Sequence, residues 1–451
     1  ENRKFLKNSI KILSTPGAII PSNLRKKYDA NLKVIYDFGE CEYKAKIWQN
    51  GDWRDHIKLI DGDKIIRSLN VKLEEGNILN ATKFKLFIPE TRNNYNELLG
   101  TLILKNIGFI TPETFEVEVK SNNFITKMLF QEDSQKELLE RNSKREGAIF
   151  EGDETNLFKT EINEKKDFFR TDFEYLSLSR LINWKWFLGG QSAQEITLRA
   201  LHNLQKSYLE RASMSDAYYY INPNNLENDI FADYRFLLIA MNGLHGLRPF
   251  NMKYYFNSFE DKFEPIYYDG NIQIINPINK NKLIKNIERI RFAKEYSFPY
   301  FKLINEESFI KNIKQEFRHR VIKYDLKDDE LVNRSINNFV SNLKYIQSKI
   351  DDRKPYIINS NDNRLIFLEK NAKLNAEKNI IKNFNINKND VYIFMEDERK
   401  FTTDLNTFSK FISRKEVDKE KYLFLPKNYS NPINQKLIKT NIPELFTEII
   451  H

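Results

Sequence analysis

A chain of 451 residues, 41 % hydrophobic, 13 % aromatic and 30 % charged, has room for about three domains and the composition of a folded protein, which excludes a miniprotein, a collagen-like repeat and a disordered chain. Lys+Arg 72 against Asp+Glu 63 leaves a net charge of +9, a mild excess that raises a basic nucleic-acid-binding protein as a third-ranked reading only. The single Cys41 cannot form an intrachain disulfide, and five scattered histidines cannot assemble a Cys/His zinc cluster.

Residues 1–30 mix charge with breaks at Pro16-Gly17 and Pro21 and read as an extended lead-in. Strict alternation then places Leu32, Val34 and Tyr36, and next Cys41, Tyr43, Ala45 and Ile47, on one face of two strands. Turn clusters at Asn50-Gly51-Asp52 and Asp61-Gly62-Asp63 precede a strand through Leu69, Val71 and Leu73 and another through Phe84, Leu86 and Ile88, which Pro89 stops. The period changes at Tyr95, Leu98, Leu99, Leu102 and Ile103, one face of a helix ended by Gly108. Alternation returns at Phe115–Val119 and at Phe124–Phe130. Residues 31–160 therefore predict an antiparallel sheet with one helix packed on it, the order of a kinase amino-terminal lobe.

Residues 161–352 predict a helical region, with periodic apolar stretches at 172–188, 193–210, 230–242, 283–296, 305–323 and 328–350. A β-hairpin interrupts it at 252–268. From 353 to 451 short strand patterns at 356–360, 364–370, 390–397 and 421–426 predict a separate β-rich module. The fold class is α+β. No run approaches the 18 apolar residues of a membrane span, and residues 1–13 have no signal-peptide core. An upstream export signal or anchor, if removed, would place the chain at a bacterial cell envelope; the other reading is cytoplasmic.

Phosphate loops of the GxxxxGK[ST] type, GxGxxG, HExxH, GxSxG and paired CxxC are all missing from the sequence. The richest constellation is His245-Gly246-Leu247-Arg248-Pro249-Phe250-Asn251, then the hairpin, then Tyr268-Asp269-Gly270-Asn271. Kinases take their metal ligands from an Asn that ends the catalytic loop and an Asp just past the following hairpin. Asn251 and Asp269 occupy those places, although Asp269-Gly270-Asn271 equally suits an ordinary turn.

Gly51-Asp52-Trp53-Arg54-Asp55-His56, the run Lys83–Tyr95, Arg145-Glu146-Gly147, HGLRPFN and FEPIYYDGN together resemble the CotH family of spore-coat protein kinase-like proteins, in its long bacterial branch, over residues 30–320. The resemblance implies an atypical, two-lobed protein-kinase-like fold, ATP with Mg²⁺ or Mn²⁺, and transfer of phosphate to a protein or to an envelope or surface component. It implies Asn251 and Asp269 as metal ligands. For the cation that meets the phosphates it leaves Lys72 as first candidate, with Arg67 and Lys85 as alternatives, and Glu97 as the helix carboxylate holding that lysine. Glu132 matches an acidic position after the last strand of the lobe, and Arg248 is a further nucleotide-binding candidate.

One departure concerns the catalytic base. The family's loop Asp lies five residues before the metal-binding Asn, where this chain has Gly246. Either His245 abstracts the proton, as the unperturbed range of a histidine permits, or another residue reaches in, or the chain is inactive toward hydroxyl acceptors, a pseudokinase-like interaction scaffold.

Overall fold

The computed structural model describes residues 1–17, 19–60, 64–121, 124–153, 178–212, 221–224, 229–289, 296–351, 380–395, 398–413, 423–424 and 447–448. They form a mixed α+β structure in two compact units. The first comprises Glu1–Lys144, Asn271–Ile278 and Tyr300–Ser341; the second comprises Arg145–Gly270, Asn279–Pro299 and Asn342–His451. Among the described residues no helix is long and apolar enough to cross a membrane.

The first unit begins with helix α1 (Asn2–Ser14), followed by strands β1 (Tyr28–Tyr36), β2 (Gly39–Gln49), β3 (Ile57–Ile60), β4 (Lys64–Arg67), β5 (Leu69–Leu73) and β6 (Lys83–Phe87). Helix α2 (Tyr95–Ile107) and strands β7 (Thr114–Ser121) and β8 (Phe124–Glu132) complete the pattern, with a short α3 (Lys136–Arg141) behind them. Six strands make one curled antiparallel sheet in the order β1-β2-β5-β6-β8-β7, and β3 and β4 form a separate hairpin. One face of the sheet buries Ala45, Val71, Leu73, Phe84, Leu86, Met128 and Phe130 as a cluster. Because side chains alternate, Lys85 and its cross-strand partner Gln131 emerge on the reverse face. Helix α2 lies over that reverse face, burying Leu98, Leu99, Leu102 and Ile103 completely. It stops at Gly108, whose φ of 108° closes the helix end by accepting the left-handed backbone.

The lead-in is not extended. Asn2–Ser14 are helical because Ile12 joins Ile20 and Ile57 in a small apolar cluster and Ser9 is fully buried. The breaks at Pro16-Gly17 and Pro21 end the helix instead of preventing it. Its last carbonyls are taken by Arg54, whose Nη2 donates to Ile12 O at 2.6 Å and to Leu13 O at 3.0 Å. A cation at a helix C-terminus satisfies orphan acceptors and the negative end of the dipole together.

The second unit contains strands β9 (Ile149–Asp153), β10 (Leu178–Leu181), β11 (Lys253–Asn257) and β12 (Lys262–Ile266), in sheet order β10-β9-β11-β12 with antiparallel neighbours throughout. Its helices are α4 (Trp184–Phe187), α5 (Gln191–Ala212), α6 (Ile230–Ala240) and α7 (Lys280–Arg289). In the first unit α8 (Phe301–Ile304) and α9 (Glu307–Arg318) follow, and α10 (Leu326–Asp351) runs on through Ser341 into the second. The helix expected over 172–188 is instead strand β10 and the short α4, with 172–177 outside the described residues. Period-two pairing of Arg180 opposite Glu151 overrides the helical spacing there. The helix expected over 305–323 stops at Arg318.

Strands β13 (Ile380–Asn387), β14 (Asp390–Met395), β15 (Lys400–Asp404), β16 (Leu423–Phe424) and β17 (Thr447–Glu448) form a five-stranded sheet with helix α11 (Leu405–Ser413). Val391, Ile393, Phe401 and Phe408 share one core cluster with Phe150, Phe187, Leu204, Tyr254 and Phe263. The strands expected at 356–360 and 364–370 lie outside the described residues.

Arg54→Ala is expected to lower the stability of the first unit by about 1–2 kcal/mol, since charged hydrogen bonds of this type are lost without replacement. Urea denaturation monitored by Trp fluorescence checks the value, and an unchanged midpoint would count against the capping role.

Candidate functional site

In the second unit the loop after α6 folds back because its polar groups are met internally. The segment Leu244–Leu247 is one 3₁₀ turn, and Asn251 N donates to Arg248 O at 2.8 Å. Tyr208 Oη, from α5, donates to Pro249 O at 2.6 Å, and Gly152 N on β9 donates to Met252 O at 3.0 Å. Gly152 has to lack a side chain, because a Cβ there would overlap the Pro249 carbonyl.

This loop and the chain leaving β12 meet at three side chains. His245 Nδ1 lies 3.0 Å from Asp269 O and 3.5 Å from Asp269 Oδ1. Asn251 Nδ2 donates to His245 O at 3.0 Å and also lies 3.0 Å from His245 Nδ1. One nitrogen cannot donate to Asp269 O and accept from Asn251 at once. With Nδ1–H donating to Asp269 O, Nε2 is the acceptor nitrogen of the ring, and Asn251 Nδ2 donates to the His245 carbonyl and lies 3.3 Å from Nε2. With Nδ2 committed, Oδ1 is the Asn251 atom left to accept, and His245 is the residue that contacts both Asn251 and Asp269. Asp269 holds a φ of 47°, a left-handed conformation that the surrounding contacts must maintain.

Two oxygen donors are what Mg²⁺ takes from a protein when phosphates and water complete its octahedron. Among the described residues no group of three or more His, Cys, Asp or Glu side chains is arranged to hold a metal. Gly246, in the place of the expected catalytic Asp, is closely packed. A Cβ there would stand 3.1 Å from both Gly270 Cα and Tyr268 O. A side chain there requires its neighbours to give by a few tenths of an ångström. Arg248 is half-buried with its guanidinium 5.7 Å from the Phe250 ring centroid.

The remaining candidates belong to the first unit and separate into distinct places. Lys85 is buried on the α2 face of the sheet, opposite Gln131, which donates to Glu97 Oε1 at 2.9 Å. Glu97 is fully buried, and α2 thus brings its carboxylate to the face that carries Lys85. Lys85 Nζ lies 3.5 Å from Asp133 Oδ1, and Lys83, two residues earlier on the same face, pairs with the other oxygen of that carboxylate. Lys72 shares this face, directly opposite Lys83, but is exposed. Arg67 is elsewhere: it is buried beneath α1, donating to Gln49 Oε1 at 2.6 Å and Ser9 Oγ at 2.9 Å, with Phe5 stacked at 4.4 Å. Burial pulls its pKa down to about 10. Glu132 is turned to α3, where Arg141 Nε donates to it at 3.1 Å. Sequence reasoning passed over Lys83, Gln131 and Asp133. The signal for Lys83 was its spacing of two from Lys85, whereas Gln131 and Asp133 become visible only through their partners.

No protein-family model matches the chain, and no curated protein matches it.

Two measurements probe these assignments. Gly246→Ala is expected to destabilise by about 1–3 kcal/mol, because the added methyl presses on backbone; an unchanged melting temperature would show that the loop has slack. Burial raises the Glu132 carboxyl above the usual carboxylate range. A group with a raised folded-state pKa contributes its stability while protonated and loses it as pH climbs through that value. The stability advantage of the parent over Glu132→Gln should therefore shrink from about pH 4.3 upward, and parallel pH profiles would contradict it.

Proposed function

We propose that the chain is a metal-dependent phosphotransferase of the CotH kinase-like type, using ATP with Mg²⁺ or Mn²⁺ and a protein or an envelope or surface component as acceptor. The observation that carries the reading is the convergence of His245, Asn251 and Asp269 at the two ends of one hairpin. A divalent cation there would neutralise charge on transferring phosphate oxygens, which is most of what phosphoryl transfer asks of a protein. Asn251 Oδ1 and the Asp269 carboxylate hold it, and His245 keeps these two groups together. His245 Nε2 is the group available to take the acceptor's proton, and a loose transition state needs little such help.

Support from the first unit is independent. A strand lysine and a helix glutamate on one face, in the order strand β6, helix α2, strands β7 and β8, is the arrangement in which kinases order a phosphate-binding lysine. Lys85 suits that part better than Lys72, because burial beside Asp133 and Glu97's helix fixes its ammonium, while Lys72 is exposed.

A second reading is favoured by Gly246. With glycine in the place of the expected loop carboxylate, a scaffold that binds nucleotide without transferring phosphate, or binds none, fits the same residues.

Thermal-shift titration with ATP and Mn²⁺ tests both. At 100 times its Kd a ligand stabilises by about 2.7 kcal/mol. The parent should shift with Mn²⁺ and ATP together and not with Mn²⁺ alone; Asp269→Ala and Lys85→Met should abolish or weaken the shift, and Lys72→Met should retain it. A parent with no shift would sink the phosphotransferase reading. A shift with no phosphate transferred to any acceptor, nor to water, would favour the scaffold.

A further inference from the structure

Lys253 is a buried ammonium that neither cluster above employs. It opens β11 in register with Glu151 on β9 and Ile266 on β12, and it is 4 % exposed. Its Nζ lies 3.5 Å from Glu151 Oε2, while Arg180, opposite Glu151 on β10, holds Oε1 at 2.6 Å. One carboxylate is thus shared by two cations. On its other side the ammonium stands 4.0 Å from the centroid of the Tyr268 ring, the residue immediately before Asp269.

Burying an ammonium is costly, and a whole buried ion pair can often be replaced by apolar residues without loss of stability. A cation over an aromatic face, by contrast, fixes where that ring lies. The carbon stem of Lys253 starts two residues after Asn251, and its charge ends against the neighbour of Asp269. One side chain therefore spans both ends of the hairpin. Glu151 and Arg180 aim it from the sheet, so the ring, and with it the left-handed backbone at Asp269, is held from behind. We infer that Lys253 is a positioning residue that sets the separation of Asn251 and Asp269 through the face of Tyr268. This rests on the reading of those two residues as the ligands of a nucleotide-borne cation.

The test measures Mn²⁺-dependent ATP binding and, separately, the melting temperature without ligand. Outer groups that orient metal ligands typically cost about 10-fold in affinity when removed. Lys253→Met keeps the stem and is expected to weaken binding by about that factor, with the melting temperature without ligand separating lost affinity from lost stability; Lys253→Arg should restore the affinity, because guanidinium also sits on aromatic faces. Tyr268→Phe, which keeps the ring, should bind as the parent does, Tyr268→Leu should match Lys253→Met, and the double variant Lys253→Met with Tyr268→Leu should be no weaker than either alone. Parental affinity in Lys253→Met, loss in Tyr268→Phe equal to that in Tyr268→Leu, or additive losses would each overturn the inference while leaving the nucleotide site standing. A parent that binds no nucleotide overturns both.

Discussion

A β-hairpin returns the chain to where it started, and in the second unit that constraint governs nearly everything of chemical interest. Strands β11 and β12 pair from Lys253 with Ile266 to Asn257 with Lys262, and the pair is fixed in space because Tyr254, Phe256 and Phe263 are buried in an extensive apolar cluster. Residues just outside the paired strands have no freedom to separate. Asn251 precedes the hairpin and Asp269 follows it, so core packing several residues away sets their approach. His245 then closes the gap between them with a hydrogen bond to each side. The loop that delivers His245 depends in turn on Gly152 and Tyr208.

Charge burial tells the same story in both units. Glu97, Lys85 and Lys253 are all nearly inaccessible, and each is met by a polar or oppositely charged group on a neighbouring element, as buried charges must be. What differs is the purpose that the packing serves. Arg67 is also buried, among Gln49, Ser9 and Phe5, but these partners tie α1 to the sheet and have no link to the lysine face. A buried charge is thus informative about function only together with where its partners lead. Lys85 leads through Gln131 to a helix carboxylate, and Lys253 leads through Tyr268 to Asp269.

The six strands of the first unit's main sheet and helix α2 were legible because alternation and the 3.6-residue period are strong there, whereas the β3–β4 hairpin was missed. The β11–β12 hairpin was legible too, and with it the pair Asn251 and Asp269. Other elements were not. The apolar residues of α1 are few, and its proline breaks mask a helix that exists because Ile12 finds Ile57. Strand β10 reads as helix by spacing, yet Glu151 across the sheet claims Arg180. Helix α11 gave no recognised signal, and its Phe408 is held by Phe187 and Phe384 at ring separations of 6.2 and 5.1 Å.

The amino-acid sequence by itself determined the α+β class, the order of the strands around α2 and the hairpin, because backbone periodicity and turn chemistry are local, and it offered a short set of candidate polar residues. Which members of that set come together was decided only by tertiary structure. Lys72, Lys83 and Lys85 alternate onto one sheet face and are equivalent along the chain; only the docking of α2, which brings Glu97 and Gln131 over that face, singles out Lys85. Gly246 is a substitution in the sequence and a closely packed position in the fold. Lys253, an unremarked residue at the start of a strand, acquires a role from a ring that pairing and packing carry to it, because a through-space contact between distant residues leaves no period to read.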